Sequence, residues 1–81
     1  MRVVFTPHFQ RSFQKLSDAV QRALERQLIH LLRDLRHPSL RAKKYDEATG
    51  MWQARVTKGH RFYFQIEGNT YVLHEITAHR K

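Results

Sequence analysis

Cysteine is absent from this chain, which removes both a disulfide framework and a thiolate zinc site. Long apolar runs are absent too, and no stretch approaches the ~20 residues that a membrane-spanning helix requires. The opening Met1-Arg2-Val3-Val4-Phe5 enters a strand pattern directly and lacks the apolar region and cleavage site of a signal peptide. These absences lead to the expectation of a soluble, cytoplasmic protein. Acidic residues are scarce: 7 Asp and Glu stand against 15 Lys and Arg, a formal net charge of +8. So large an excess in so small a chain calls for a polyanionic partner, either nucleic acid or a strongly acidic protein. A solvated basic surface is the plainer alternative. A membrane surface fits poorly, because the cations are spread along the chain and form no single polybasic block.

The 81 residues suffice for one domain, 1–81, and for one compact core. Residues 2–6 alternate weakly as a first strand, and Thr6-Pro7 supplies an N-cap followed by proline at the first helical position. A short helix is expected from about His8 to Leu16, burying Phe9, Phe13 and Leu16. Ser17 or Asp18 caps a longer one. In it Val20, Leu24, Leu28, Leu31, Leu32 and Leu35 recur at helical steps, and Pro38 ends it at or before His37. A basic linker, Arg41-Ala42-Lys43-Lys44-Tyr45, leads to a turn from Asp46 to Gly50. Strands follow at 51–57, 60–66 and 70–77, joined by the short turns Lys58-Gly59 and Glu67-Gly68-Asn69. The predicted fold is α+β: a two-helix hairpin packed on one face of an antiparallel sheet, in the order β-α-α-β-β-β, with the other face open.

Side-chain parity divides the strands between those faces. Trp52, Ala54 and Val56, then Phe62, Phe64 and Ile66, then Val72, His74 and Ile76 are expected against the helices. Gln53, Arg55, Arg61, Tyr63 and Glu75 are expected on the open face, with His79 just past the strand end. Two guanidiniums and an imidazole on one face suit scission of an RNA backbone without a metal or cofactor. Arginine binds phosphate oxygens through a planar fork and stays charged, and histidine moves protons near neutrality. Tyr63 can stack on a base, and Lys43, Lys44, Lys58, Arg80 and Lys81 can add sequence-independent affinity for phosphates. Blander readings stand beside these. Arg55 and Arg61 can be cross-strand partners of Glu75, His79 lies in a terminal tail, and His30, His37 and His74 read as structural.

The chain also resembles, over essentially its whole length, the RelE/ParE superfamily of bacterial type II toxins. The resemblance rests on Phe9 and Ser12-Phe13, the leucine-rich second helix, Asp34-Leu35 and His37-Pro38, Trp52-x-x-Arg55-Val56, and His60-Arg61 with its aromatic run. It is nearest to the RelE/YoeB-like mRNA interferases, since YoeB-like toxins carry a W-S-R-R-I…H-R-L-V-Y pattern and a histidine close to the C-terminus. That resemblance implies a metal-independent endoribonuclease cutting mRNA in the ribosomal A site. Attack by the 2′-hydroxyl would leave a 2′,3′-cyclic phosphate and a 5′-hydroxyl. It further implies that Arg55 contacts the scissile phosphate, that Arg61 joins it there, and that His79 is the general acid. The implied partners are the ribosome with its 16S rRNA and an acidic cognate antitoxin that relieves growth inhibition. Ala42 stands where YoeB-like toxins have a glutamate base, and RelE-like lysines are replaced by Gln53 and Arg55. The base is therefore open, with Glu75 and Glu47 as candidates. The ParE side of the superfamily supplies the alternative, a DNA gyrase inhibitor that binds protein and cuts no RNA.

Overall fold

Two side-chain oxygens start the helical half of the molecule. The structure, a computed structural model, describes residues 1–79. Thr6 Oγ1 accepts the Phe9 amide at 3.1 Å, so strand β1 (Arg2–Phe5) passes at once into helix α1 (Pro7–Gln14). Ser17 Oγ accepts the Val20 amide at 3.4 Å and opens helix α2 (Asp18–Arg33). That helix stops well short of Pro38. Asp34 leaves the helical region at φ −162° and its carboxylate accepts the Arg36 amide at 2.9 Å, closing a side-chain turn that competes with another helical turn. Leu35 thus lies beyond the helix, and Leu32 faces solvent while Ala23 and Gln27 join Leu24 and Leu31 on the buried stripe. Among the described residues no helix is long and apolar enough to cross a membrane.

A 3-10 turn, Pro38–Leu40, leads into β2 (Lys43–Asp46), β3 (Met51–Thr57), β4 (His60–Glu67) and β5 (Thr70–Ala78). The sheet order is β1-β5-β4-β3-β2. The class and the run of elements agree with expectation, and two details differ. The sheet is mixed, because β1 pairs parallel with β5 while β2 through β5 are antiparallel. The basic linker is also a strand, β2, pairing Lys43 with Gln53 and Lys44 with Trp52 at the sheet edge. Its charges hid it from an alternation test, yet charged side chains are what an exposed edge carries to discourage pairing with another chain.

Both helices pack on one sheet face around Phe9, Leu24, Leu31, Leu40, Phe62, Phe64 and Leu73, all fully buried. Strand β5 departs from simple alternation. Tyr63 pairs with Glu75 and Phe64 with Leu73, so His74 is an extra residue in a bulge. Below it Tyr71 and Leu73 point into the core, and above it Ile76 does. The expected inward set of Val72, His74 and Ile76 therefore holds only for Ile76. His74 instead meets Gln65 of the open face, Nε2 to Oε1 at 2.7 Å. Ile66, also expected inward, is exposed near the strand's end.

Candidate active site

Arg55 and Arg61 are direct cross-strand partners on β3 and β4. Like charges set opposite each other oppose folding, so something must hold them there. Three carbonyls hold Arg61: its Nη1 donates to Thr57 O at 2.9 Å, His60 O at 2.9 Å and Lys58 O at 3.3 Å. Arg55 is held by its backbone, whose carbonyl accepts from Gln27 Nε2 at 2.8 Å. Gln27 is buried on α2 and also donates to Ser39 O and accepts from the Ser39 hydroxyl, tying α2, the 3-10 turn and β3 together.

The Arg55 guanidinium itself is under-satisfied. Its Nε is buried and has no hydrogen-bond partner among the described residues. Burial, then the charges of Arg41 and Arg61, hold its pKa below the ordinary arginine value. A buried donor without an acceptor beside two like charges is an arrangement that an anion would satisfy.

Arg41 is the member that the sequence reading missed. It caps the 3-10 turn in the left-handed region, at φ 46° and ψ 42°. That conformation costs an L-residue roughly 1–2 kcal/mol relative to a right-handed one, and glycine would occupy it freely. Arg41 stands two residues before β2, and its charge lies near enough to Arg55 to lower that group's pKa. Arg41 thus adds a third positive charge to the Arg55–Arg61 pair. No apolar alternation or motif spacing marks Arg41, and only its backbone conformation and its nearness to Arg55 expose it.

A second set of side chains lies beside these arginines. Gln53 Nε2 donates to the Tyr63 hydroxyl at 3.0 Å, and the Tyr63 ring meets Tyr45 edge-on with centroids 5.0 Å apart. Lys43, the partner of Gln53, is exposed on the same side. Tyr45 was read as linker and is a further aromatic on this face. At the open end Thr77 pairs with Arg61, and alternation puts His79, two residues on, toward the same face. The His79 amide donates to Gly59 O at 2.7 Å, fastening the end of β5 to the Lys58-Gly59 turn, while its side chain is exposed.

Three of the expected site residues sit elsewhere, and two lie beyond view. The Glu75 carboxylate turns to α1, where Oε2 meets His8 Nε2 at 2.7 Å and Oε1 accepts the Ser12 hydroxyl at 3.2 Å. β1 ends opposite Leu73, so beyond that point the edge of β5 meets α1 and Glu75 reaches its side chains. Lys44 pairs with Trp52 on the other side of the sheet, its Nζ 5.3 Å from the indole centroid and 3.6 Å from Glu47 Oε1. Lys44 and Glu47 therefore engage each other, away from the arginines. Arg80 and Lys81 lie outside the described residues.

Burial pushes the Glu75 carboxyl up. The hydrogen bonds from His8, the Ile76 amide and Ser12, with the His8 charge, outweigh this and bring its pKa below the usual carboxylate value. A carboxylate depressed in the folded state stabilises it above the unfolded pKa of about 4.3, and that contribution is lost as pH falls through the folded value. Wild type should therefore lose stability more steeply than Glu75→Gln below about pH 4.3, by a modest amount because the pair is half-exposed. Thermal melts between about pH 6 and pH 2 check this, and parallel curves would remove the pairing from the account.

No family model matches the sequence, and no curated protein does. Solved structures do match. A YoeB/ParE toxin from Agrobacterium tumefaciens superposes with a TM-score of 0.81 at 16% identity, covering 99% of this chain and 100% of that one. The RelBE2 toxin-antitoxin complex from Mycobacterium tuberculosis gives 0.78 at 24% identity, covering 96% of each chain. The intact RelBE toxin-antitoxin complex from E. coli gives 0.73 at 13% identity, covering 98% and 96%. With this geometry and these likenesses together, the chain has the fold of the YoeB and RelE toxins.

Proposed function

We propose that the chain is the toxin of a type II toxin-antitoxin pair, an endoribonuclease that cuts mRNA, with the ribosomal A site as its place of action. The observation that carries this reading is the facing Arg55–Arg61 pair with the Arg41 charge nearby, and a buried Arg55 Nε that has no acceptor among the described residues. In the proposed reaction a 2′-oxygen attacks the adjacent phosphorus, forming the O2′–P bond and breaking P–O5′. Arg55 and Arg61 bind the non-bridging oxygens as negative charge grows on them. The imidazolium of His79 gives its proton to the departing 5′-oxygen. With Glu75 and Glu47 engaged elsewhere, the positive cluster itself favours the ionised 2′-oxygen and water takes that proton. The products are a 2′,3′-cyclic phosphate and a 5′-hydroxyl. Lys43 and Lys58 add affinity for the phosphates, and Tyr45 and Tyr63 offer rings to the bases.

An acidic antitoxin is the proposed protein partner. The net charge of +8 supports it, as do the exposed apolar side chains of Phe5, Ile29 and Leu32. Two of the similar structures are themselves toxin-antitoxin complexes.

Cleavage of an mRNA on programmed ribosomes tests the reading, with wild type beside His79→Ala. Discrete cuts are expected, slowed about 10²–10⁴-fold in the variant as for loss of a general acid. Absence of cutting by wild type, joined to inhibition of supercoiling by DNA gyrase, would replace the nuclease with the gyrase-binding alternative.

A further inference from the structure

At the sheet edge, reached from the Arg55–Arg61 face past Arg41, a pocket of about 270 Å³ is walled by Arg36, His37, Pro38, Arg41, Ala42 and Trp52. None of the roles above uses it. Its lining holds two arginines and no carboxylate, so it selects an anion, and its aromatic and aliphatic walls suit a planar ring. Its volume falls just under the ~300–1,000 Å³ of ordinary small-molecule sites, which matches a single base better than an extended ligand.

His37 is held ready in this wall. Its ring stacks on His30 with centroids 3.8 Å apart and 16° between the planes. Its Nδ1 accepts the Ser39 amide at 3.2 Å and lies 2.8 Å from the Ser39 hydroxyl. An Nδ1 that accepts from an amide leaves the ring proton on Nε2, so the outer nitrogen is a donor. Ser39 is in turn bonded to Gln27, the residue that holds the Arg55 backbone. The pocket and the arginine pair are thus fastened through one buried side chain.

Arg41 belongs to both places. It lines the pocket, and its charge lies near enough to Arg55 to lower that guanidinium's pKa. Its left-handed backbone turns the chain at the corner where the sheet edge ends.

Resting on the nuclease reading, we propose that this pocket is a nucleotide subsite. Single-stranded RNA leaves the Arg55–Arg61 pair over Arg41 and places one flanking base against His37, its phosphate held by Arg41 and Arg36. Trp52 is covered by Lys44 and by Phe64, and supplies wall rather than platform.

Trp52 is the one tryptophan in the chain and lines this pocket, so its fluorescence is a probe of occupancy there. The full chain would be titrated with a short, labelled 2′-O-methyl oligonucleotide, which lacks the attacking hydroxyl and stays uncut. Tryptophan emission and probe anisotropy would be followed together. The expected result is a saturable emission change over the same concentrations as the anisotropy change. An abasic oligonucleotide of the same length should bind without that emission change. Arg41→Gly, which keeps the left-handed backbone and removes the guanidinium, should weaken binding about tenfold, as for one charge-assisted contact. His37→Ala should weaken it about as much, as for a lost base stack, and should abolish the emission change. Circular dichroism on both variants separates lost binding from lost folding. Three results would overturn the subsite: oligonucleotide binding without emission change, an equal change with the abasic strand, or no binding at all. Because the probe cannot be cut, failure of wild type to cleave RNA is a separate result and touches only the nuclease reading.

Discussion

Arg55→Ala should lower RNA cleavage by about 10²–10³-fold, the usual cost of one preorganised donor to a developing oxyanion. The same change should leave the protein as stable as wild type, or more so. Arg55 is not placed for the benefit of the fold: it stands opposite Arg61, near Arg41, with its Nε buried and unbonded. Removing it relieves like-charge repulsion and an unsatisfied donor, both of which oppose folding. The Gln27 bond is to the Arg55 carbonyl and survives the substitution. Arg55→Lys should recover part of the activity, since an ammonium keeps the charge and loses the bidentate fork. Single-turnover cleavage rates and thermal melts on the same samples decide the matter. Full activity would detach Arg55 from the chemistry, and a large fall in melting temperature would make it a structural residue.

The second large effect is on folding. Phe64→Ala should cost about 3–5 kcal/mol. Phe64 is fully buried at the middle of the sheet and meets three aromatic rings: Phe62 at 5.5 Å, Tyr71 at 5.6 Å and Trp52 at 6.2 Å. A chain of this length has a total stability of roughly 4–12 kcal/mol. One such substitution therefore consumes about a quarter of it or more. For a domain of this size each kcal/mol is worth about 4–8 °C, so the midpoint should drop by about 12–40 °C. Phe64→Leu should lose much less, because the cavity is smaller. Calorimetry on the three proteins tests this, and a drop of only a few degrees in Phe64→Ala would mean that Trp52 and Tyr71 collapse into the space.

Which parts were legible from the residues follows from what each depended on. Helix starts rest on Thr6 and Ser17 acting on amides three residues away, so a local reading finds them. Phe62 and Phe64 were readable because β4 is regular up to its end. The basic edge strand was not, since its pairing with β3 stabilises a stretch that has no apolar alternation of its own. Likewise parity places Glu75 on the arginine face, and only the packing of α1 against the β5 edge beyond the end of β1 draws its carboxylate to His8 and Ser12.

The residues alone set the class of the fold, the run of its main elements, the strong positive charge, and Arg55 and Arg61 as a pair. Those follow from composition, capping and short-range periodicity, which act over a turn or a strand. Only the tertiary structure decided that Arg41 joins that pair, that both candidate glutamates are engaged elsewhere, and that a pocket opens beside Trp52. Apart from the local Lys44–Glu47 pair, each of these depends on long-range packing, whose energy comes from neighbouring strands and helices rather than from the residues concerned.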